Sequence, residues 1–277
     1  MTGTDDFRPP ALAVMQRALA PLRAWFDPCC VGLERLDLTR PALLVGNHCL
    51  FSLDAPLMLE AIYREQGVLV RALGDHMHFR IPGWGHQVRQ WGGVEGTPEN
   101  CSALMRSGQS ILVFPGGARE VMRRRTDDYQ LIWKRRTGFA RLAIQHGYDI
   151  IPFASVGANE TYRILADADD IRASRLWRWL QKPLALDARS RGGDLLSPLV
   201  RGVGPTLLPR PERFYFGFGE RISTAALRSE TPDEDALWQV RRQTEAAIGD
   251  LVATLQQQRA ADRAGWPAWR RWLAAPV

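Results

Sequence analysis

Within 277 residues, the side chains best suited to moving a proton are His48 and Asp54, in the segment Gly46-Asn-His-Cys-Leu-Phe-Ser-Leu-Asp54. An imidazole titrates near neutrality, and a carboxylate turned towards it fixes its tautomer and stabilises its protonated form. As a dyad with no serine or cysteine nucleophile, the pair suits direct deprotonation of a substrate hydroxyl. The plainer alternative is that Asp54 only caps a helix and His48 is a loop residue. A second segment, Phe114-Pro-Gly-Gly-Ala-Arg-Glu120, carries two glycines that let backbone approach a ligand closely. Backbone N–H groups around Gly116 and Gly117 suit an oxyanion or a phosphate, and Arg119 supplies charge for an anionic head group. The alternative there is an arginine-terminated tight turn.

Both segments follow short apolar runs, so they stand where strands end, the edge at which open α/β sheets bind ligands. Residues 41–46 read as a buried strand. Asp54 reads as the N-cap of a helix reaching about residue 65, with Pro56 in its first turn. Upstream, residues 11–25 place Leu12, Met15, Leu19 and Leu22 at helical spacing. Downstream, residues 67–73 read as a strand, residues 80–96 as a loop rich in Gly, Pro and Trp, and residues 98–106 as a helix. A strand over 110–114, a helix over 138–146 and a strand over 149–156 continue the alternation. This rhythm implies βαβ units and an α/β fold, a mainly parallel central sheet flanked by helices. Residues 167–211 break it as an irregular insertion, residues 213–219 resume as a strand, and a C-terminal helix runs over 232–258. We divide the chain into an N-terminal helical, membrane-surface segment (1–31), a main domain (32–230), and a C-terminal helix with a Trp/Arg tail packed on the same domain (231–277).

The net charge of +6 favours anionic partners, yet no recognition motif supports nucleic acid. No stretch reaches the roughly 18 consecutive apolar residues of a membrane-crossing helix. The first residues lack the pattern of a secretory signal, and Cys29, Cys30, Cys49 and Cys101 form no C-x-x-C pair, so a cytoplasmic setting is expected. Trp177, Trp179, Trp266, Trp269 and Trp272, with Arg270 and Arg271, match the composition of a bilayer interface, with packing against the core as the alternative. His76 and His78, read as a His-x-His pair on one face of a strand, invite a metal. Their spacing is unspecific, and no metal is expected.

Taken together and in order, the Asn-His-(five residues)-Asp block, the Phe-Pro-Gly-Gly-Ala-Arg-Glu block and Ile150-Ile-Pro resemble the glycerolipid acyltransferase superfamily. More narrowly they are similar to its diacylglycerol/monoacylglycerol acyltransferase-like branch, over about residues 32–222. Gly74-Asp-His, Arg80-Ile-Pro-Gly, Gly92-Gly-Val-Glu-Gly and Trp133-Lys-Arg-Arg-Thr-Gly-Phe-Ala extend the match. The resemblance implies that His48 deprotonates an acceptor hydroxyl, with Asp54 as its partner, and that the hydroxyl attacks the thioester of an acyl donor. Gly116, Gly117, Arg119 and Glu120 would shape the acceptor side. Lys134, Arg135 and Arg136, with Arg123, Arg124 and Arg125 nearby, would meet donor phosphates, the acidic surface of an acyl carrier protein, or anionic lipid. No bound cofactor is implied: acyl-CoA or acyl carrier protein is a co-substrate, a lipid is the acceptor, and contact is peripheral, on the inner face of a membrane.

Three departures shape the expectation. Lysophosphatidate enzymes usually carry four residues between His and Asp, and Pro-Glu-Gly-Thr-Arg where this chain has Pro-Gly-Gly-Ala-Arg. The neutral-lipid branch often has Arg-Lys-Gly-Phe, where this chain reads Arg136-Thr-Gly-Phe139. Gly116 in place of the acid tilts the acceptor towards a glyceride or another lipid alcohol. A lysophospholipid acyltransferase and a non-catalytic lipid- or thioester-binding protein are the rivals. Retention of both His48 and Asp54 argues against the second.

Overall fold

Leu43, Leu44 and Val45 are each fully buried, as a central parallel strand covered on both faces requires. The computed structural model describes residues 7–181, 183 and 190–275. Its strands are β1 (Cys29–Val31), β2 (Ala42–Gly46), β3 (Arg71–Gly74), β4 (Val94–Glu95), β5 (Ile111–Val113), β6 (Asp149–Val156), β7 (Arg163–Ala166), β8 (Leu199–Arg201) and β9 (Tyr215–Phe218). Seven form one sheet in the order β1-β9-β6-β2-β5-β3-β4. All neighbours run parallel except β6 and β9.

The helices are α1 (Leu12–Phe26), α2 (Ala55–Gln66), α3 (His76–Arg80), α4 (Trp84–Gln90), α5 (Pro98–Arg106), α6 (Ala118–Val121), α7 (Gly138–His146), α8 (Ala168–Ala173), α9 (Arg175–Leu180), α10 (Glu234–Asp262) and α11 (Ala268–Ala274). The long α10 lies across β6, β9 and α7, burying Leu237, Val240, Ile248, Val252 and Leu255 along one stripe. None of the described helices is long and apolar enough to cross a membrane.

Register decides where the chemistry goes. Val45 lies beside Val113, and Gly46 beside Phe153. Because β2 and β5 run parallel, His48 and Phe114 leave the sheet at the same edge.

Two readings from the sequence need correction. Residues 80–96 are not simply a loop, for they hold α4 and β4. Gly85 fits there because an added Cβ would lie 2.6 Å from the carbonyl oxygen of Phe79. An element of two turns with one apolar contact of this kind leaves too little periodicity to read. His76 and His78 stand on α3, not on a strand. Residues two apart on a helix point to different sides, so the one-face geometry that invited a metal is lost. No metal-sized cluster of ligands occurs among the described residues.

The insertion has local order. β7 and β8 form an antiparallel ladder, and α8 begins with a capping box between Asp167 and Asp170. Lys182 and residues 184–189 of the insertion lie outside the described residues, as do 1–6 and 276–277 of the terminal segments. In the C-terminal tail, the buried Arg270 donates to the carbonyls of Trp25 and Pro211 (both 3.0 Å), and Trp266 is buried.

Candidate active site

The loop that carries His48 is fixed by its main chain and by the face of its ring. Asn47 clamps β2 to β6: its side-chain amide donates to the Ser155 carbonyl (2.9 Å) and accepts the Ser155 N–H (2.8 Å). The His48 N–H donates to Glu120 Oε2 (2.9 Å), and the His48 carbonyl accepts from Arg123 Nη2 (3.0 Å). Two residues on, the Leu50 N–H donates to Asn159 Oδ1 (3.0 Å). The imidazole stacks on Phe114 with ring centres 3.8 Å apart and planes 6° from parallel.

Between His48 and Asp54 the chain turns through Phe51 and Ser52, both left-handed at φ 56° and 57°. Two such residues in succession are costly for L-amino acids, about 1–2 kcal/mol each. They absorb the five-residue spacer and return the chain to α2. Asp54 occupies the N-cap position, yet its side chain makes no cap hydrogen bond. Asp54 Oδ1 and His48 Nδ1 are both buried without a hydrogen-bond partner.

Desolvation dominates the electrostatics. Burial lowers the His48 pKa to about 3, helped by the charges of Arg123 and His78, so the ring is neutral. Burial raises that of Asp54, against the opposing Ser155 hydroxyl, its own backbone and the Cys49 thiol. Burial also raises Glu120 to about 7, although its carboxylate accepts the N–H groups of Ile132 (2.7 Å) and His48.

The glycine turn sits beside this loop. Gly117 has φ 55° and ψ −145°, a conformation open to glycine, and its N–H closes the turn on the Phe114 carbonyl (3.0 Å). A Cβ on Gly116 would lie 2.0 Å from Glu120 Cδ, so the glycine makes room for the Glu120 carboxylate. Arg136 Nη1 staples the turn through the carbonyls of Pro115 (2.6 Å) and Gly116 (2.8 Å). Beyond it opens an apolar cleft of about 350 Å³, lined by Phe114, Leu73, Val113, Phe139 and Leu142 with Arg136 among its walls.

Residues 27–156 match the family model described as acyltransferase. Phytyl ester synthase 1, chloroplastic, of Arabidopsis thaliana is 30% identical over 245 residues, which are 83% of this chain and 34% of that one. The human protein named DGAT1/2-independent enzyme synthesizing storage lipids is 31% identical over 149 residues, 54% of this chain and 44% of that one. The chain belongs to the acyltransferase family. The crystal structure of the 1-acyl-sn-glycerophosphate (LPA) acyltransferase of Thermotoga maritima shares its fold, with TM-score 0.52 at 15% identity over 87% of this chain and 79% of that one. The chain spans about a third of the length of the phytyl ester synthases it matches.

The structure gathers His48, Asp54, Gly116, Gly117, Glu120 and Arg136 around one loop. Other residues named from the sequence are engaged elsewhere. Arg119 is buried in a two-pronged pair with Asp127 (2.6 and 3.1 Å). Lys134 pairs with Asp194 (2.7 Å), and the exposed Arg135 lies 3.8 Å from Glu234. Arg124 and Arg125 meet Asp169 and Asp170 at the start of α8. Asn47, Ser155 and Asn159 escaped sequence reading. Asn47 carried a signal, as the polar neighbour of His48 at a strand end, whereas Ser155 and Asn159 join the site only through the β2–β6 pairing.

Proposed function

We propose that this acyltransferase moves a fatty acyl group from a thioester, acyl-CoA or acyl carrier protein, to the hydroxyl of a glyceride or related lipid alcohol. His48 takes the hydroxyl proton as the oxygen attacks the thioester carbonyl. The tetrahedral intermediate then collapses, the C–S bond breaks, and the leaving thiolate recovers the proton from His48. Asp54 orients the ring through Nδ1 and stabilises the imidazolium while it exists.

One observation carries the reading: a buried, neutral imidazole lies flat on Phe114, a wall of the apolar cleft, with Nδ1 and the Asp54 oxygen both unpartnered. Two orphan polar atoms six residues apart are costly to bury, and a His–Asp hydrogen bond formed on substrate binding would satisfy both. The names of the relatives, a phytyl ester synthase and an enzyme synthesizing storage lipids, fit a lipid alcohol as acceptor. Exposed Leu176 and Trp179 on α9, and Trp272 on α11, suit peripheral contact with a bilayer.

The test is thiol release from palmitoyl-CoA and from palmitoyl acyl carrier protein, with monoacylglycerol, diacylglycerol, lysophosphatidate and phytol as acceptors. Product lipids are identified by mass. Acceptor-dependent release in the wild type, lost in His48→Ala and cut at least 100-fold in Asp54→Asn, is expected. Equal release in the wild type and His48→Ala removes His48 as the base. No transfer from either donor leaves a lipid- or thioester-binding protein.

A further inference from the structure

Apart from the apolar cleft there is a cavity of about 520 Å³ lined by seven arginines and three acidic residues. It opens between the residues that follow α6, the β6–β7 connection, residues 210–212 and the end of α10. Arg259 neutralises two of the acids, Glu212 at 2.8 Å and Glu160 at 3.5 Å. Arg124 and Arg125 are held by the acids of α8. Arg123, Arg210 and Arg263 have no carboxylate at ion-pairing distance among the described residues.

Two of these three are deeply buried, Arg123 at 3% exposure and Arg210 at 6%. Arg123 Nη1 and Arg210 Nη2 lack hydrogen-bond partners, and so does Asn159 Nδ2 in the same wall. Buried guanidinium nitrogens left without a partner are expensive, and a cavity holding two of them, neither with a carboxylate at ion-pairing distance, beside an idle amide is short of one thing. Burial lowers the Arg210 pKa; the charge of Glu212 opposes this, while Arg201 and Arg163 add like charge. The missing partner is an anion with several acceptor oxygens, the match for planar guanidinium forks.

We propose that this cavity binds a phosphate group of one of the two substrates, and that its occupancy sets the His48 loop. Both ties run through its walls. Arg123 holds the His48 carbonyl, and Asn159 holds the Leu50 N–H through Oδ1 while Nδ2 remains free for the ligand. The sequence points to Lys134, Arg135 and Arg136 for this role, with Arg123, Arg124 and Arg125 nearby; of these, Lys134 and Arg135 face Asp194 and Glu234 instead. The phosphate belongs either to the nucleotide portion of a coenzyme A thioester or to a phosphorylated lipid head group. That assignment rests on the acyl-transfer reading; the anion site itself does not.

The experiment titrates the full chain with pyrophosphate, coenzyme A and glycerol 3-phosphate by calorimetry at low salt. The main variant is Asn159→Asp, which keeps the acceptor for Leu50 and puts a negative oxygen where the amide faced the cavity. Arg210→Gln is the second variant, Arg242→Gln on the exposed side of α10 the control, and thermal unfolding checks the fold of each. Saturable pyrophosphate binding, weakened at least tenfold by Asn159→Asp and by Arg210→Gln and less than twofold by the control, is the expected result. Coenzyme A binding with the same sensitivity marks the donor as the source, and glycerol 3-phosphate binding with it marks the acceptor. No saturable binding of any probe, or binding that Asn159→Asp leaves within twofold, overturns the site. Acyl transfer by the wild type is measured alongside, so the loss of either conclusion is recognisable without the other.

Discussion

Glu120 offers a perturbation whose size follows from the structure. Its carboxylate is fully buried and accepts two main-chain N–H groups, those of His48 and Ile132. Burial nevertheless raises its pKa from 4.5 to about 7. The folded protein therefore holds the proton more tightly than the unfolded chain. Glu120 contributes stability that is complete below pH 4.5 and lost as the pH rises through 7, about 3 kcal/mol across that window. Glu120→Gln has no such titration. Glutamine keeps one acceptor oxygen but turns an NH2 group against the second N–H, which costs about 1–3 kcal/mol. The variant should thus be less stable than the wild type at pH 5, and by pH 8 the deficit should shrink, vanish or reverse. Urea unfolding of both proteins at pH 5, 6, 7 and 8 measures the gap. Its activity should drop at every pH, on the order of tenfold to 100-fold in kcat, because the His48 main chain loses an anchor. A stability gap that stays constant from pH 5 to 8 refutes the reasoning.

Three other outcomes are expected. Gly116→Ala should cost about 1–3 kcal/mol by driving a methyl group into Glu120, seen as a lower Tm, and an unchanged Tm would show that the carboxylate can move aside freely. In nitrogen-labelled protein, His48 should remain neutral at pH 5.5, since its pKa lies at about 3; the folded form binds fewer protons than the unfolded chain over that interval, so stability falls as the pH drops below 6.5. A midpoint between 6 and 7 in the NMR titration contradicts this. Trp179→Glu, at a side chain 74% exposed, should leave the Tm unchanged while weakening sedimentation with anionic vesicles at least tenfold, in line with about 1.5–3 kcal/mol for burying a large apolar side chain; vesicle binding within twofold of wild type removes α9 from the membrane contact.

Five of the seven strands of the main sheet were legible as nearly uninterrupted apolar runs, and the helices by a 3.6-residue stripe; the edge strands β1 and β4, three and two residues long, were not. The run 149–156 and the helix 138–146 were read to the residue. What was not legible was short or dependent on distant contact. The elements α3 and α4 are five and seven residues long, too brief for a period to emerge, and their turns rest on Gly83 at φ 75° and on Gly85 packing against Phe79. At the site, spacing placed His48 and Asp54 on one loop, and glycine chemistry placed 116 and 117 on the next. The glutamate that joins the two loops stood in the sequence as one more acid after an arginine. Nothing local tells that Glu120 will reach 72 residues back to an amide, nor that Arg123 will hold a carbonyl while its neighbours hold acids.

The manner in which His48 is held bears on what it does. A group that must accept a proton is poorly served by an anchor through the atom that accepts it. Here the ties are the Glu120 carboxylate on the N–H, the Arg123 guanidinium on the carbonyl, the Asn159 amide two residues on, and the Phe114 ring on the imidazole face. None of these uses a ring nitrogen. Each comes from a segment that follows β5 or β6, the neighbours of β2 on either side, so the sheet register fixes all four at once. A histidine kept only for packing has no reason to leave Nδ1 buried and unpartnered, and Asp54 Oδ1, six residues on, is in the same condition. An arrangement that immobilises the residue while sparing its chemistry is what the proposed general-base role requires.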